Sequence, residues 1–179
     1  SVGYGRFITA LGATVLGAGA DQAQIYEQST LLGVSGNDAT DIVNAKTIMA
    51  WGGNPAEAYV HDWQFVCEAR EKGAKLITID PQFTASAMHS DVYVPIRPGT
   101  DGALALAFLN IIIGEDLYDH DFVENWTNGF DELAEHVKQY TPAWAAEITG
   151  LPEEQIVEVG RLMGTVKPMG INCGNGIGD

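Results

Sequence analysis

Two short apolar runs, AKTIMAW at residues 45–51 and AKLITI at 74–79, stand on either side of a stretch that reads as helix. Each run is bounded by turn residues and too short for a helix, which fits a strand buried on both faces. Pro55 falls in the first turn of the intervening helix, where proline's missing N–H removes no hydrogen bond. AEAYVHDWQFVCEAREK, residues 56–72, places Tyr59, Trp63, Val66 and Cys67 along one side, and the stem of Arg70 extends that stripe. Gly73 stops it. A strand, a crossover helix and a second strand imply parallel pairing with a right-handed connection. A chain built this way is α/β: a Rossmann-like parallel sheet with helices on both faces.

The rest of the chain extends that plan. QFTASAMHS is a connector with one helical turn, and DVYVPI (residues 91–96) is a third strand that Pro95 places near a sheet edge. Thr100 or Asp101 reads as the N-cap of GALALAFLNIIIG (residues 102–114), a helix apolar nearly all round and so expected to be buried. DLYDHDFVENWT and FDELAEHVKQY are short amphipathic helices. TPAWAAEITG and LPEEQIVEVGRLMG each carry proline in the first turn; Thr141 caps the former, and Gly150 and Gly164 read as their stops. KPMGINCGNG closes as a buried strand and a glycine loop. Residues 1–41 form a Gly-rich helical lead-in, and the α/β domain runs over 42–179.

Charge narrows the partners. Nine basic residues against 24 acidic ones give a net charge of −15, which argues against a nucleic-acid or anionic membrane surface. No apolar run approaches the roughly 20 residues of a membrane span, so direct membrane insertion is not expected. The chain starts without Met and ends Gly-rich, and so reads as a fragment of a longer protein. Cys67 and Cys173 have no metal or redox spacing, and Cys173 reads as a core or loop cysteine. His61, His89, His120 and His136 show no metal spacing either, and no Ser-His-Asp arrangement or acid pair stands out. No catalytic residue and no metal ligand is assigned within this chain.

Three apolar strands end in polar loops: Trp51-Gly52-Gly53-Asn54, Asp80-Pro81-Gln82 and Arg97-Pro98-Gly99-Thr100-Asp101. In a parallel sheet all three lie on the carboxyl edge, where ligands bind. The first loop offers close backbone approach and a helix N-terminus, which suits a phosphate. The second offers an acid of the kind that takes ribose hydroxyls. The third offers a carboxylate able to accept from two neighbouring N–H donors, such as guanine N1–H and its 2-amino group. Each loop also has a plainer reading. GGNP is a common tight turn, Asp80 and Asp101 can be helix caps, and Trp51 can be a core residue. The glycine pattern is not GxGxxG, so a dinucleotide site of the NAD type is not supported.

The blocks IVNAKTIMAWGGNPAEA, GAKLITIDPQFTASAMHSDVYVPIRPGTDGALALAFLNIII and YTPAWAAEITGLPEEQI, in this order, carry a resemblance. The chain resembles the dimethyl sulfoxide reductase family of molybdopterin oxidoreductases, and within it the membrane-associated catalytic subunits. The resemblance covers residues 40–176 well and 1–39 loosely. It implies a bis(molybdopterin guanine dinucleotide) cofactor holding molybdenum or tungsten, with one dinucleotide cradled by this domain. By the match, Gly52, Gly53 and Asn54 line the phosphate and pterin side, beside Trp51. Asp80 meets ribose with Gln82 beside it, and Asp101 holds the guanine edge with Gly99 leaving room. The family usually has arginine where this chain has Gln82, so a fixed positive charge is missing there. The resemblance also implies an iron–sulfur cluster in the preceding part of the catalytic subunit. Its implied partners are the rest of that subunit, an iron–sulfur electron-transfer subunit and a membrane-anchor subunit. It further implies export in a prokaryote and a role in anaerobic respiration. Two other readings remain open: a nucleotide-binding regulatory α/β domain without redox role, and a purely structural α/β domain.

Overall fold

The computed structural model describes residues 38–174 together with 7, 10–12 and 177. The helices expected before residue 34, apart from those few positions, and the glycine loop at 175–176 lie outside the described residues. Residues 38–174 and 177 belong to one compact unit.

Among the described residues four strands, β1 (Thr47–Trp51), β2 (Lys75–Ile79), β3 (Val92–Val94) and β4 (Met169–Cys173), form a parallel sheet in the order β3-β2-β1-β4. All five residues of β1 are buried, as its position between β2 and β4 requires. The side-chain period of two sends Ile48 and Ala50 to one face and Met49 and Trp51 to the other. On the first face they meet Leu76, Val66, Ala69 and Ala74, with Trp63 packed against them. On the second they join Ile77, Ile79, Leu104, Phe108, Ile111, Ala145, Ile156 and Val159. The sheet is therefore covered by helices on both faces, and the Rossmann-like α/β architecture stands.

β3 is an edge strand closed by Pro95, as the proline requires. The last strand departs from expectation. β4 is not buried: it is the other edge among the described residues, its side chains half-buried or exposed in turn, because only β1 lies beside it. Cys173, at its end, is exposed rather than in the core.

The segment after β1 is two helices, not one. Helix α1 spans Pro55–Ala58 and α2 spans Val60–Glu71, with a break at Tyr59 (φ −127°, ψ 57°). The break resets the helical phase, so α2 buries Val66 and Ala69, while Tyr59 and Cys67 are exposed. A single turn, α3 (Ala85–Met88), comes after β2. After β3 come α4 (Asp101–Gly114), α5 (His120–Trp126), α6 (Phe130–Val137), α7 (Pro142–Thr149) and α8 (Glu153–Thr165). α4 buries one face, through Leu104, Ala107, Phe108 and Ile111, and leaves most of the rest half-buried. The Thr141 hydroxyl accepts from Trp144 N–H at 3.2 Å, and Gly150 ends α7 at φ 76°. No described helix is long and apolar enough to cross a membrane.

Gly164 is no helix stop. It lies inside α8, where a Cβ would stand 2.6 Å from Leu117 Cβ; a Cβ on Gly160 would stand 2.7 Å from Ile111 Cδ1. Both glycines let α8 close on α4 and the turn after it. Glu115 and Arg161 clasp the same contact with two N–H···O bonds of 2.8 Å, which holds the glutamate's carboxyl below its ordinary pKa. Gly164→Ala is expected to cost about 1–2 kcal/mol: overpacking of a rigid Cβ outweighs the roughly 1 kcal/mol gained in helix propensity. Urea unfolding of the chain checks this.

Candidate functional site

The carboxyl ends of the strands are sewn together one residue past the sheet. Gly52 N–H donates to Ile79 O at 2.9 Å, Gly174 N–H to Trp51 O at 2.9 Å, and Asp80 N–H to Val94 O at 3.2 Å. The chain leaves β1 towards β2 and later returns to β4 on the other side, so a topological switch falls between β1 and β4. There the two loops touch backbone to backbone. A Cβ on Gly174 would lie 2.2 Å from Gly52 O and 2.6 Å from Gly53 Cα, and one on Gly53 would lie 3.2 Å from Gly174 Cα. Gly52 is left-handed at φ 60°, a conformation glycine adopts without strain. The N–H groups of Gly53 and Asn54 have no acceptor among the described residues.

Asn54 is held by a residue 32 positions away. Its Oδ1 accepts from Ser86 Oγ–H at 2.7 Å and from Ser86 N–H at 3.2 Å, and its Nδ2 donates to the Glu57 carboxylate. Ser86 is fully buried and also accepts from Ala56 N–H at 3.1 Å. The side chain of Asn54 is thus spent on fixing the start of α1 against α3, which leaves the loop its backbone donors.

Asp80 is half-buried, and its Oδ1 accepts from Gln82 N–H at 2.8 Å, an Asx turn that starts the second loop. Gln82 is exposed. Desolvation, with the charge of Asp80 behind it, pushes the Tyr93 phenol above its usual pKa. Phe83 covers Tyr93 edge-on, with ring centroids 5.2 Å apart.

Asp101 is the first residue of α4 and is 8% exposed. Its cap reading is corrected: Thr100 holds the N-cap position, and the Asp101 Oδ1 instead accepts the Trp51 indole N–H at 2.6 Å. Trp51 in turn packs edge-to-face on Phe108, with centroids 5.8 Å apart, so it is a core residue that also orients a carboxylate. The Thr100 hydroxyl donates to Arg97 O at 2.7 Å and closes the third loop. A Cβ added at Gly99 (φ 75°) or Gly102 would meet nothing within 4 Å, so open space flanks Asp101. Arg97 reaches away, its Nη1 donating to Ile148 O at 2.7 Å.

All three loops therefore lie on one carboxyl edge. The structure joins Trp51 to Asp101 directly and ties Gly52 to the end of β2, while Gln82 and Gly99 are exposed. Sequence reasoning does not single out Ser86 or Gly174. The glycine-rich end of β4 is the one available sign of Gly174; nothing local marks Ser86. Among the described residues no group of three His, Cys, Asp or Glu side chains could hold a metal ion.

This edge, with its close glycine contact at the switch point, belongs to a Rossmann-like α/β domain, and in sheets of this class ligands bind outside the carboxyl ends of the strands. Residues 4–177 match the family described as molybdopterin oxidoreductase, and the chain belongs to that family. It is 38% identical over 146 residues to the probable oxidoreductase YoaE of Bacillus subtilis, covering 81% of this chain and 22% of that protein. It is 37% identical over 153 residues to the F420-dependent formate dehydrogenase subunit alpha of Methanocaldococcus jannaschii (81% and 23%). It is 37% identical over 165 residues to the dimethyl sulfoxide reductase DmsA of Haemophilus influenzae (79% and 20%). Among solved structures, acetylene hydratase from Pelobacter acetylenicus superposes with a TM-score of 0.71 at 33% identity, over 77% of this chain and 20% of that one. The chain spans about a fifth of the length of the relatives it matches. The names of these relatives cover several activities, so the family is established and the reaction is not.

Proposed function

We propose that residues 42–179, after the lead-in at 1–41, cradle one molybdopterin guanine dinucleotide in the catalytic subunit of an oxidoreductase of the dimethyl sulfoxide reductase type. The observation that carries this reading is the carboxyl edge itself. Gly52, Gly53 and Gly174 bring two loops to backbone contact, two N–H groups there lack acceptors among the described residues, and open space flanks the buried Asp101. These features fit the group: the N–H donors of Gly53 and Asn54 suit phosphate or pterin oxygens, Asp80 a ribose, and Asp101 the guanine N–H pair. Trp51 fixes the Asp101 carboxylate, Gly99 leaves the approach clear, and Gln82 sits beside the ribose without a charge. The bound molybdenum or tungsten would supply two-electron chemistry, such as oxygen-atom transfer. This segment would supply binding and orientation only, and would be inactive alone. The family resemblance carried by the W-G-x-N-P, I-D-P-x-x-T and R-P-G-T-D blocks would place an iron–sulfur cluster in the preceding part of the subunit. The same resemblance would give that subunit an iron–sulfur electron-transfer partner, a membrane anchor and an exported location.

A dinucleotide held between domains makes only part of its contacts with one wall, while immobilising it still costs several kcal/mol. The isolated chain is therefore expected to bind guanosine diphosphate no tighter than the high micromolar range, roughly −5 kcal/mol. Calorimetric titration tests this. A nanomolar constant would make the chain a self-sufficient nucleotide receptor and favour a regulatory domain instead.

A further inference from the structure

Asn172 is the fourth residue of β4, in register with Ala50 of β1, which in turn pairs with Thr78 of β2. Parallel neighbours in register share a face, so Asn172 stands on the α1–α2 side of the sheet, where the loop after β1 turns into helix. Its Oδ1 is buried and has no hydrogen-bond partner. That atom lies 3.4 Å from where a Cβ on Gly53 would be. Asparagine is disfavoured in strands, and a buried acceptor left unpaired costs its desolvation, so packing alone does not account for this side chain. Thr78 Oγ1 is also unpaired on this row, but it stands two strand spacings away, roughly 9.5 Å, too far to serve Asn172.

Around the same junction stand the N–H groups of Gly53 and Asn54, also without acceptors among the described residues. A buried unpaired acceptor beside two free donors suits a ligand that presents both kinds of group. We infer that Asn172 is a further cofactor-binding residue, its amide oxygen accepting a hydrogen bond from an N–H or O–H of the dinucleotide beside the junction where the β1 and β4 loops meet. This rests on the cofactor reading above and extends it to a strand to which that reading gave no contact.

The test uses the full-length protein with Asn172→Leu, which keeps the volume and removes the acceptor. The cofactor-free protein is reconstituted with limiting cofactor, guanine nucleotide bound per folded protein is measured, and thermal unfolding of the cofactor-free form is monitored in parallel. Expected is a roughly tenfold weaker cofactor affinity, the size of one lost hydrogen bond. The melting temperature of the cofactor-free form should be unchanged or raised, because an unpaired acceptor has gone. Asn172→Ala, with no added bulk, should show the same loss of affinity if leucine disturbs folding. Wild-type affinity in the folded fraction of both variants would overturn the assignment. A wild-type protein that holds no guanine nucleotide would overturn the cofactor reading itself, and this inference with it.

Discussion

Gly174→Ala is expected to destabilise the chain by about 3 kcal/mol, the upper end of overpacking costs. The new Cβ would lie 2.2 Å from Gly52 O, 2.6 Å from Gly53 Cα and 2.7 Å from Gly52 C, all backbone atoms. No side chain can swing aside, so one loop must withdraw. Withdrawal stretches the 2.9 Å bond from Gly174 N–H to Trp51 O, the last rung joining β4 to β1. Against a typical domain stability of roughly 5–15 kcal/mol this is a large fraction. Urea unfolding measures it. A midpoint like that of the unmutated chain would mean that the glycine contact is looser than described.

The elements most legible in the sequence are those fixed by local chemistry. β1 and β2 follow from short apolar runs between turn residues, α1 from Pro55, and α7 from Thr141 and Gly150. Pro95 places β3 at an edge, since a proline removes a ladder donor. From parallel strands alone the three loops fall on one edge, because every strand of such a sheet points the same way. The less legible features depend on partners distant in the chain. Gly164 reads as a stop and is a close contact with Leu117, because a glycine signals either a left-handed turn or a missing side chain. The break at Tyr59 has no glycine or proline to announce it, and the tie that holds Asn54 comes from Ser86, 32 residues on. Asp101 has the sequence signature of a cap, yet its acceptor serves Trp51, 50 residues away. β4 looks buried from its apolar residues, but its place at the edge is set by topology.

Asp101→Ala should carry the largest functional effect, through two separable losses. The first is structural. Removing the carboxylate leaves the buried Trp51 indole N–H without its acceptor, which costs about 1–3 kcal/mol of stability with or without ligand. The second belongs to the cofactor. The guanine N–H pair loses a charge-assisted acceptor worth roughly 1.5–3 kcal/mol, a tenfold to hundredfold drop in affinity. Unfolding of the cofactor-free protein reads the first loss, and cofactor bound per folded molecule reads the second. A purely structural Asp101 predicts the first alone.

The most direct measurement is therefore guanine nucleotide and metal content per folded full-length protein, wild type and Asp101→Ala side by side, with cofactor limiting. Predicted is a wild-type protein carrying molybdenum or tungsten together with guanine nucleotide, and a variant depleted of both in its folded fraction. Equal occupancy in the two proteins would contradict the role of Asp101, and a wild-type protein free of guanine nucleotide would contradict the assignment of this domain as a dinucleotide cradle.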